Sequence, residues 1–242
     1  MEDAAASIPW RSSELELRWR VGYRVALPTS PAPSAGHPLL LALHGFGEDA
    51  ARFSARLAPL VGGPYALLVP DAPFPVEIRE EEGARIGRAW YQYDGDAATF
   101  ERALRWGAAH LEQLLREASR AFPLDPCRVV LLGYSQGGYL GSVTALRDRA
   151  RYLGLVAIST RVKSEILAEE LRSARGYPVL ALHGERDRST PLEPQRRSLE
   201  ALRASGLAVE LEVHAGGHGF RSELLPRIDS FVRGVLALPP RT

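Results

Sequence analysis

The residues Gly133-Tyr134-Ser135-Gln136-Gly137-Gly138 follow the apolar, β-branched run Val129-Val130-Leu131-Leu132 and precede a helix-like segment. A serine hydroxyl is a poor nucleophile in water. At the tip of a sharp strand-to-helix turn its oxygen is exposed, and a helix N-terminus points at the reacting carbonyl. Such a turn strains the backbone at the serine and brings helix and strand very close. Small residues are therefore needed on both sides, and Gly133 and Gly137 supply them. The same pattern could be a glycine-rich turn with an incidental serine, so the rest of the chain must decide.

A Ser135 nucleophile needs a base, a group that orients the base, and donors for the oxyanion. Six histidines compete for the first role. His37 lies in a proline-rich loop and His110 on the polar face of a helix, among Glu101, Arg105 and Glu112. His44 and His183 terminate apolar strands, where an imidazole braces a turn. His214 shares strand parity with Glu210 and Glu212. His218 remains, in Ala215-Gly216-Gly217-His218-Gly219, on a loop whose glycines let the backbone turn the ring inward. The orienting acid belongs between nucleophile and histidine in chain order. Asp187 fits, four residues past the strand ending at His183, whereas Glu185 follows that strand too closely to reach across. Asp148 sits in the helix after the serine and points away.

One oxyanion donor is expected to be the backbone N–H of Gln136 and the other that of Phe46, in the turn His44-Gly45-Phe46-Gly47. A metal site at His214 and His218 would need a helix to bring them to one face, and Ala215-Gly216-Gly217 argues against one. No phosphate loop or dinucleotide fingerprint appears, so neither a metal nor a cofactor is expected.

These groups must be positioned by a scaffold. The chain has 242 residues, 45% of them hydrophobic, enough for one large α/β domain. Thirty basic against twenty-nine acidic residues give a net charge of +1, which calls for neither nucleic acid nor an anionic membrane. The single cysteine, Cys127, excludes an internal disulfide and is expected to be a buried, inert thiol. No apolar run approaches the roughly 18–20 residues of a membrane span, and the acidic N-terminus lacks a signal-peptide pattern. The expectation is a soluble cytoplasmic protein, monomeric or homodimeric.

Residues 1–13 read as a loose segment and 14–242 as the domain. Leu15, Leu17 and Trp19, then Val21, Tyr23, Val25 and Leu27, alternate with polar residues and predict an antiparallel pair at a sheet edge. Continuous apolar runs at Leu39–Leu43, Tyr65–Val69, Val129–Leu132, Leu153–Ile158 and Val179–Leu182 predict strands buried on both faces, and Leu207–Val213 a last strand. A 3.6-residue period from Phe100 to Phe122 predicts a long amphipathic helix. Shorter helices are expected to about Leu60, near 164–172, from Pro194, and from Phe220 to Val235. Strands alternating with helices make a mostly parallel sheet with helices on both faces. Ligands of such sheets bind at the carboxyl ends of the strands, where Leu-Ala-Leu-His-Gly occurs twice, at 41–45 and 180–184. Residues 74–98 read as a long irregular loop serving as a lid or substrate wall.

The chain resembles the phospholipase/carboxylesterase branch of the α/β-hydrolase superfamily, which includes the acyl-protein thioesterases. The resemblance rests on Leu43-His44-Gly45-Phe46-Gly47, Asp71-Ala72-Pro73, Arg88-Ala89-Trp90-Tyr91, Gly133-Tyr134-Ser135-Gln136-Gly137-Gly138, His183-Gly184 through Asp187 to Pro191, and Gly217-His218. It implies a single-domain α/β-hydrolase fold and a cofactor-free serine hydrolase of small or medium acyl esters or thioesters. It also implies that residues 74–93 cover the acyl pocket, with Phe46, Phe74, Trp90 and Tyr91 as its expected lining. The primary expectation is a carboxylesterase. The alternatives are a thioesterase or lysophospholipase with the same triad and, from another class, a catalytically silent binding module. Three departures from the family stand out: residues 1–38 are not covered, Ser189-Thr190 replace apolar residues, and Ile78–Gly87 is unusually charged.

Overall fold

The computed structural model describes residues 11, 13, 15, 20–81 and 83–239. Seven strands form the main sheet: β1 (Tyr23–Ala26), β2 (His37–Leu43), β3 (Ala66–Pro70), β6 (Leu124–Tyr134), β7 (Tyr152–Ile158), β8 (Pro178–Gly184) and β9 (Ala208–His214). Their order is β1-β3-β2-β6-β7-β8-β9. Only β1 runs antiparallel, against β3 at one edge, with Tyr23 opposite Pro70 and Ala26 opposite Leu67. The strand expected over residues 14–19 lies outside the described residues, Leu15 excepted.

The continuous apolar runs have a geometric cause. Successive strand residues point to opposite faces, so a strand covered on both sides needs apolar side chains at every position. Leu39, Leu41, Leu43, Val129 and Leu131 pack on one face, beneath α2 (Ala97–Ala121), α3 (Gln136–Arg147), the single turn α4 (Ala168–Leu171) and α5 (Leu192–Ala204). Leu40, Ala42, Val130, Leu132, Val156 and Leu180 pack on the other, beneath α1 (Ala50–Arg56) and α6 (Leu225–Val235). The helix α2 starts where the Asp96 carboxylate accepts the Thr99 N–H at 2.7 Å, and Pro123 follows its end.

Several expectations are corrected. Residues 74–98 are not an irregular loop: β4 (Phe74–Glu80) and β5 (Gly83–Ala89) pair antiparallel as a hairpin outside the main sheet. His37 opens β2 and is buried, rather than lying in the loop before it. Cys127 is exposed, because the β2–β6 register shifts between His37 and Leu39 and residues 126–128 bulge outward between the buried Leu124 and Asp125 and the buried run from Val129. The segment near 164–172 breaks into a 3-10 turn (Ser164–Ile166) and α4, and α5 begins two residues before Pro194. Phe220 precedes the last helix and packs edge-on against Phe53 and Tyr134. No helix among the described residues is long and apolar enough to cross a membrane.

Candidate active site

Ser135 lies between the last residue of β6 and the first of α3, at φ 51° and ψ −117°. A non-glycine residue rarely holds positive φ, and here the closeness of helix to sheet enforces it. A Cβ on Gly137 would stand 2.5 Å from the His44 carbonyl oxygen, and one on Gly133 would stand 2.5 Å from that of Gly137. The turn is anchored by the Ser135 N–H, which donates to Ile158 at 2.9 Å, and by the Gly138 N–H, which donates back to Ser135.

His218 comes to the serine from the loop after β9. Its Nε2 is 2.8 Å from Ser135 Oγ and its Nδ1 is 2.8 Å from Asp187 Oδ2. The Asp187 side chain is fully covered, while His218 keeps 22% of its side-chain surface. Asp187 Oδ1 accepts the backbone N–H groups of Ser189 at 2.9 Å and Thr190 at 2.8 Å, which leaves Oδ2 for the imidazole. The acid and histidine loops are fastened together. The Glu185 N–H donates to the His214 carbonyl, and the Arg186 N–H and Nε donate to the carbonyls of Gly216 and Ala215. The Tyr134 ring lies 5.7 Å from that of His218.

The other histidines are structural. His44 is fully buried; its Nε2 accepts the Ala72 N–H at 3.1 Å and its Nδ1 faces the Gly45 carbonyl at 2.7 Å. Burial lowers its pKa, so it is a neutral brace for the turn that follows. His183 Nε2 faces the Thr190 carbonyl at 2.7 Å, and His214 Nδ1 accepts the Gly216 N–H at 3.1 Å. Burial also lowers the pKa of His214, helped by the nearby Arg221. His110 is half-buried rather than solvated, with its pKa lowered by burial. Among the described residues no group of three or more histidine, cysteine or acidic side chains could hold a metal.

The turn 45–48 presents Phe46 at the surface, 54% exposed. Among the described residues no acceptor takes the Phe46 N–H or the Gln136 N–H, so both donors are unengaged. Glu48 Oε2 accepts the Gly45 N–H at 3.3 Å and Oε1 pairs with Arg56 at 2.7 Å; burial raises its pKa.

A sequence profile of the phospholipase/carboxylesterase family matches residues 29–236, and so takes in residues 29–38, which the resemblance was expected to leave uncovered. The chain belongs to this family. Acyl-protein thioesterase 1 of Gibberella zeae is 25% identical over 235 residues, covering 90% of this chain and 98% of that protein. The solved structure of esterase PE8 superposes with a TM-score of 0.74 at 22% identity, covering 90% of this chain and all of that one. Zea mays acyl-protein thioesterase 2 superposes at 0.66 with 20% identity, over 89% of this chain and 99% of that one. The architecture is the α/β-hydrolase fold. Membership of the phospholipase/carboxylesterase family places the chain among hydrolases of ester and thioester bonds.

Of the four side chains that the family resemblance suggested as pocket lining, the structure keeps two at the surface. Phe46 and Phe74 are exposed, and Phe74 shares its hairpin face with Val76 and with Ile78, which stands over Gly47. Trp90 and Tyr91 are instead buried. Trp90 Nε1 donates to the His44 carbonyl at 2.8 Å, and Tyr91 packs edge-on against Phe100. They brace the site from behind because β5 ends at Ala89 and the chain dives under the turn. The sequence reading also missed the Gln136 side chain, whose Oε1 accepts the Trp90 N–H and whose Nε2 donates to the Tyr91 carbonyl, both at 2.9 Å. The signal was available in the polar residue between Ser135 and two glycines, since a long amide there has to find partners.

Proposed function

We propose that the protein is a serine esterase acting on carboxylic esters of small or medium acyl groups. The observation that carries this reading is the unbroken relay Asp187 Oδ2, His218 Nδ1, His218 Nε2, Ser135 Oγ, with both links at 2.8 Å. Ser135 Oγ attacks the acyl carbonyl while His218 Nε2 takes the hydroxyl proton, and Asp187 stabilises the resulting imidazolium. The Phe46 and Gln136 N–H groups meet the developing oxyanion. His218 returns the proton to the leaving alkoxide. Water, deprotonated by the same nitrogen, then cleaves the acyl-enzyme to the acid, and His218 hands that proton to the departing Ser135 Oγ. The exposed Phe46 and Phe74, with Val76 and Ile78, offer an apolar lip to an acyl chain.

Ser135→Ala should lower kcat for p-nitrophenyl butyrate by about a millionfold, and adding His218→Ala should scarcely deepen the loss. Retention of more than about a hundredth of wild-type kcat by Ser135→Ala would sink the reading. A fluorophosphonate should label wild type at Ser135, and failure to label the folded protein would instead support a silent binding module.

A second reading, thioester cleavage by the same groups, is favoured by the similarity to acyl-protein thioesterase 1 along nearly its whole length. Butyryl oxygen and sulfur esters of matched leaving groups separate the two through the ratio of kcat/KM.

A further inference from the structure

Five residues at the end of the hairpin, Gly87 to Tyr91, touch both halves of the expected oxyanion hole. On one side, Arg88 exchanges two backbone hydrogen bonds with the turn: the Gly47 N–H donates to its carbonyl and its own N–H donates to Glu48, both at 2.9 Å. Arg85 Nη1 adds a bond to the Gly47 carbonyl at 2.5 Å. On the other side, the Gln136 amide takes the Trp90 N–H and gives its own proton to the Tyr91 carbonyl, each at 2.9 Å. From behind, Trp90 Nε1 holds the His44 carbonyl. The contact with the turn is as close as backbones can come, because a Cβ at Gly87 would collide with the Gly47 carbonyl.

We infer that residues 87–91 are a bracket setting the separation of the Phe46 and Gln136 N–H donors, with the Gln136 side chain as a positioning residue distinct from its backbone role. The inference rests on the serine esterase reading above. Phe46 lies in a turn of Gly45, Phe46 and Gly47, which has little rigidity of its own, and the partner donor heads α3 on a different element. Pairing of β2 with β6 and the packing of Gly137 on the His44 carbonyl tie the two elements at their base, and residues 87–91 add a tie beyond the strand ends, where the donors lie. An oxyanion hole works because its donors need no rearrangement when charge appears, so a tie between them acts on the transition state rather than on substrate binding. The bracket also connects the hole to the hairpin face bearing Phe74, Val76 and Ile78, so a chain resting on that face loads the element that fixes the donors.

The test uses Gln136→Met, which keeps the backbone N–H and the side-chain length but removes both amide bonds, and Gly87→Ala, which forces the strand off Gly47 without touching Gln136. Outright loss of one donor costs about 10²–10³ in rate, so a loosened pair should cost kcat about 10–100-fold. KM should stay within about threefold, since the interaction lost is one made in the transition state. The acid limb of the pH–rate profile should not move, because the Asp187–His218 pair is untouched. Ile86→Ala, on the same strand but facing solvent, should leave kcat unchanged. The inference is overturned if folded Gln136→Met retains wild-type kcat, or if its loss lies in KM. If Gln136→Met does not fold, as read by its thermal midpoint, Gly87→Ala decides on the same criteria. Ser135→Ala is run alongside. If it still hydrolyses the ester, the esterase reading falls and the bracket with it. If it is silent while Gln136→Met is fully active, only the bracket falls.

Discussion

Replacing Asp187 by asparagine tests the relay at its buried end. In the native protein the two carboxylate oxygens do different work. Oδ1 accepts two backbone N–H groups, from Ser189 and Thr190, and Oδ2 accepts one imidazole N–H, from His218. An amide has one oxygen and one NH2, so it must choose. Turning the NH2 toward the loop would orphan the buried Thr190 N–H, worth about 1–3 kcal/mol, and also cost the bond from Ser189, whose residue is exposed. Turning it toward His218 costs only one such contact, and the imidazole can recover it by moving its proton to Nε2. The difference is at least about 1 kcal/mol, or roughly a fivefold bias and upward, toward the amide oxygen on Ser189 and Thr190. In that arrangement Nε2 carries a hydrogen and donates to Ser135 Oγ, so it cannot accept the serine proton. The rate should fall about 10⁴-fold although the fold is preserved, the size seen when a serine-protease triad aspartate is made asparagine. Asp187→Ala, which leaves the tautomer free but orphans the loop, should fall by a similar factor of about 10⁴. The assay is kcat for p-nitrophenyl butyrate at pH 7 for both variants, beside their thermal midpoints. If Asp187→Asn kept more than about a tenth of wild-type kcat, the tautomer reasoning would be refuted. It would also be refuted if Asp187→Asn were much the faster of the two while equally folded.

Two further predictions concern the scaffold. His110 is half-buried on α2, its Nε2 covered with no hydrogen-bond partner, and burial lowers its pKa. The unfolded chain therefore binds this proton more readily than the folded one. The stability contribution is fully present above about pH 6.5 and is lost as pH falls from there toward the lower folded value. His110→Leu should flatten that part of the stability profile and raise the thermal midpoint by about 2–4 °C, as removing an unsatisfied buried polar atom does in a chain of this size; an unchanged acid slope would contradict it. Gly137→Ala and Gly141→Ala, one turn apart on α3, should differ sharply. The first meets the fixed carbonyls of His44 and Leu43, whereas the second meets only the tip of the Leu131 side chain. Gly137→Ala should abolish fluorophosphonate labelling of Ser135 and lower the thermal midpoint more than Gly141→Ala, which should still label.

The parts of this fold that could be read from the chain are those where one physical demand fixes the residue type. A strand covered on both faces must be apolar throughout, and β2, β6, β7 and β8 are where such runs were seen. A serine at positive φ between a strand and a helix needs glycine neighbours, and Ser135 has them. The hairpin was missed because its demand is only half as strong. Phe74, Val76 and Ile78 alternate correctly, but Pro75, Glu77 and Arg79 on the exposed other face, followed in sequence by a run of glutamates, look like loop composition. Cys127 misled for the converse reason, since a register shift bulges residues 126–128 outward from a strand buried on either side of them. Trp90 and Tyr91 carry the signature of a binding wall in their size alone, and only the course of the chain after β5 reveals that they are buried beneath the turn. Periodicity reports how an element is covered; it is silent on where the chain goes when the element ends.

Activity and selectivity are carried by different parts of this fold. The relay groups hang from the carboxyl ends of β6, β8 and the edge strand β9, which are neighbours through β7 in the main sheet. The apolar lip hangs from a two-stranded unit with one face in solvent, tied to the rest through residues 85–91. Substitutions on the outer face of the hairpin, at Glu77, Arg79 or Ile86, meet neither the core nor the relay, so charge can change there at little cost in stability. Substitutions on its inner face change both the acyl surface and the strap on Gly47. Selectivity for the acyl group and speed of attack are therefore expected to change together when the inner face is altered, and separately when the outer face is. A hairpin apolar on one face and charged on the other is what results when only one face of the element is held to the chemistry.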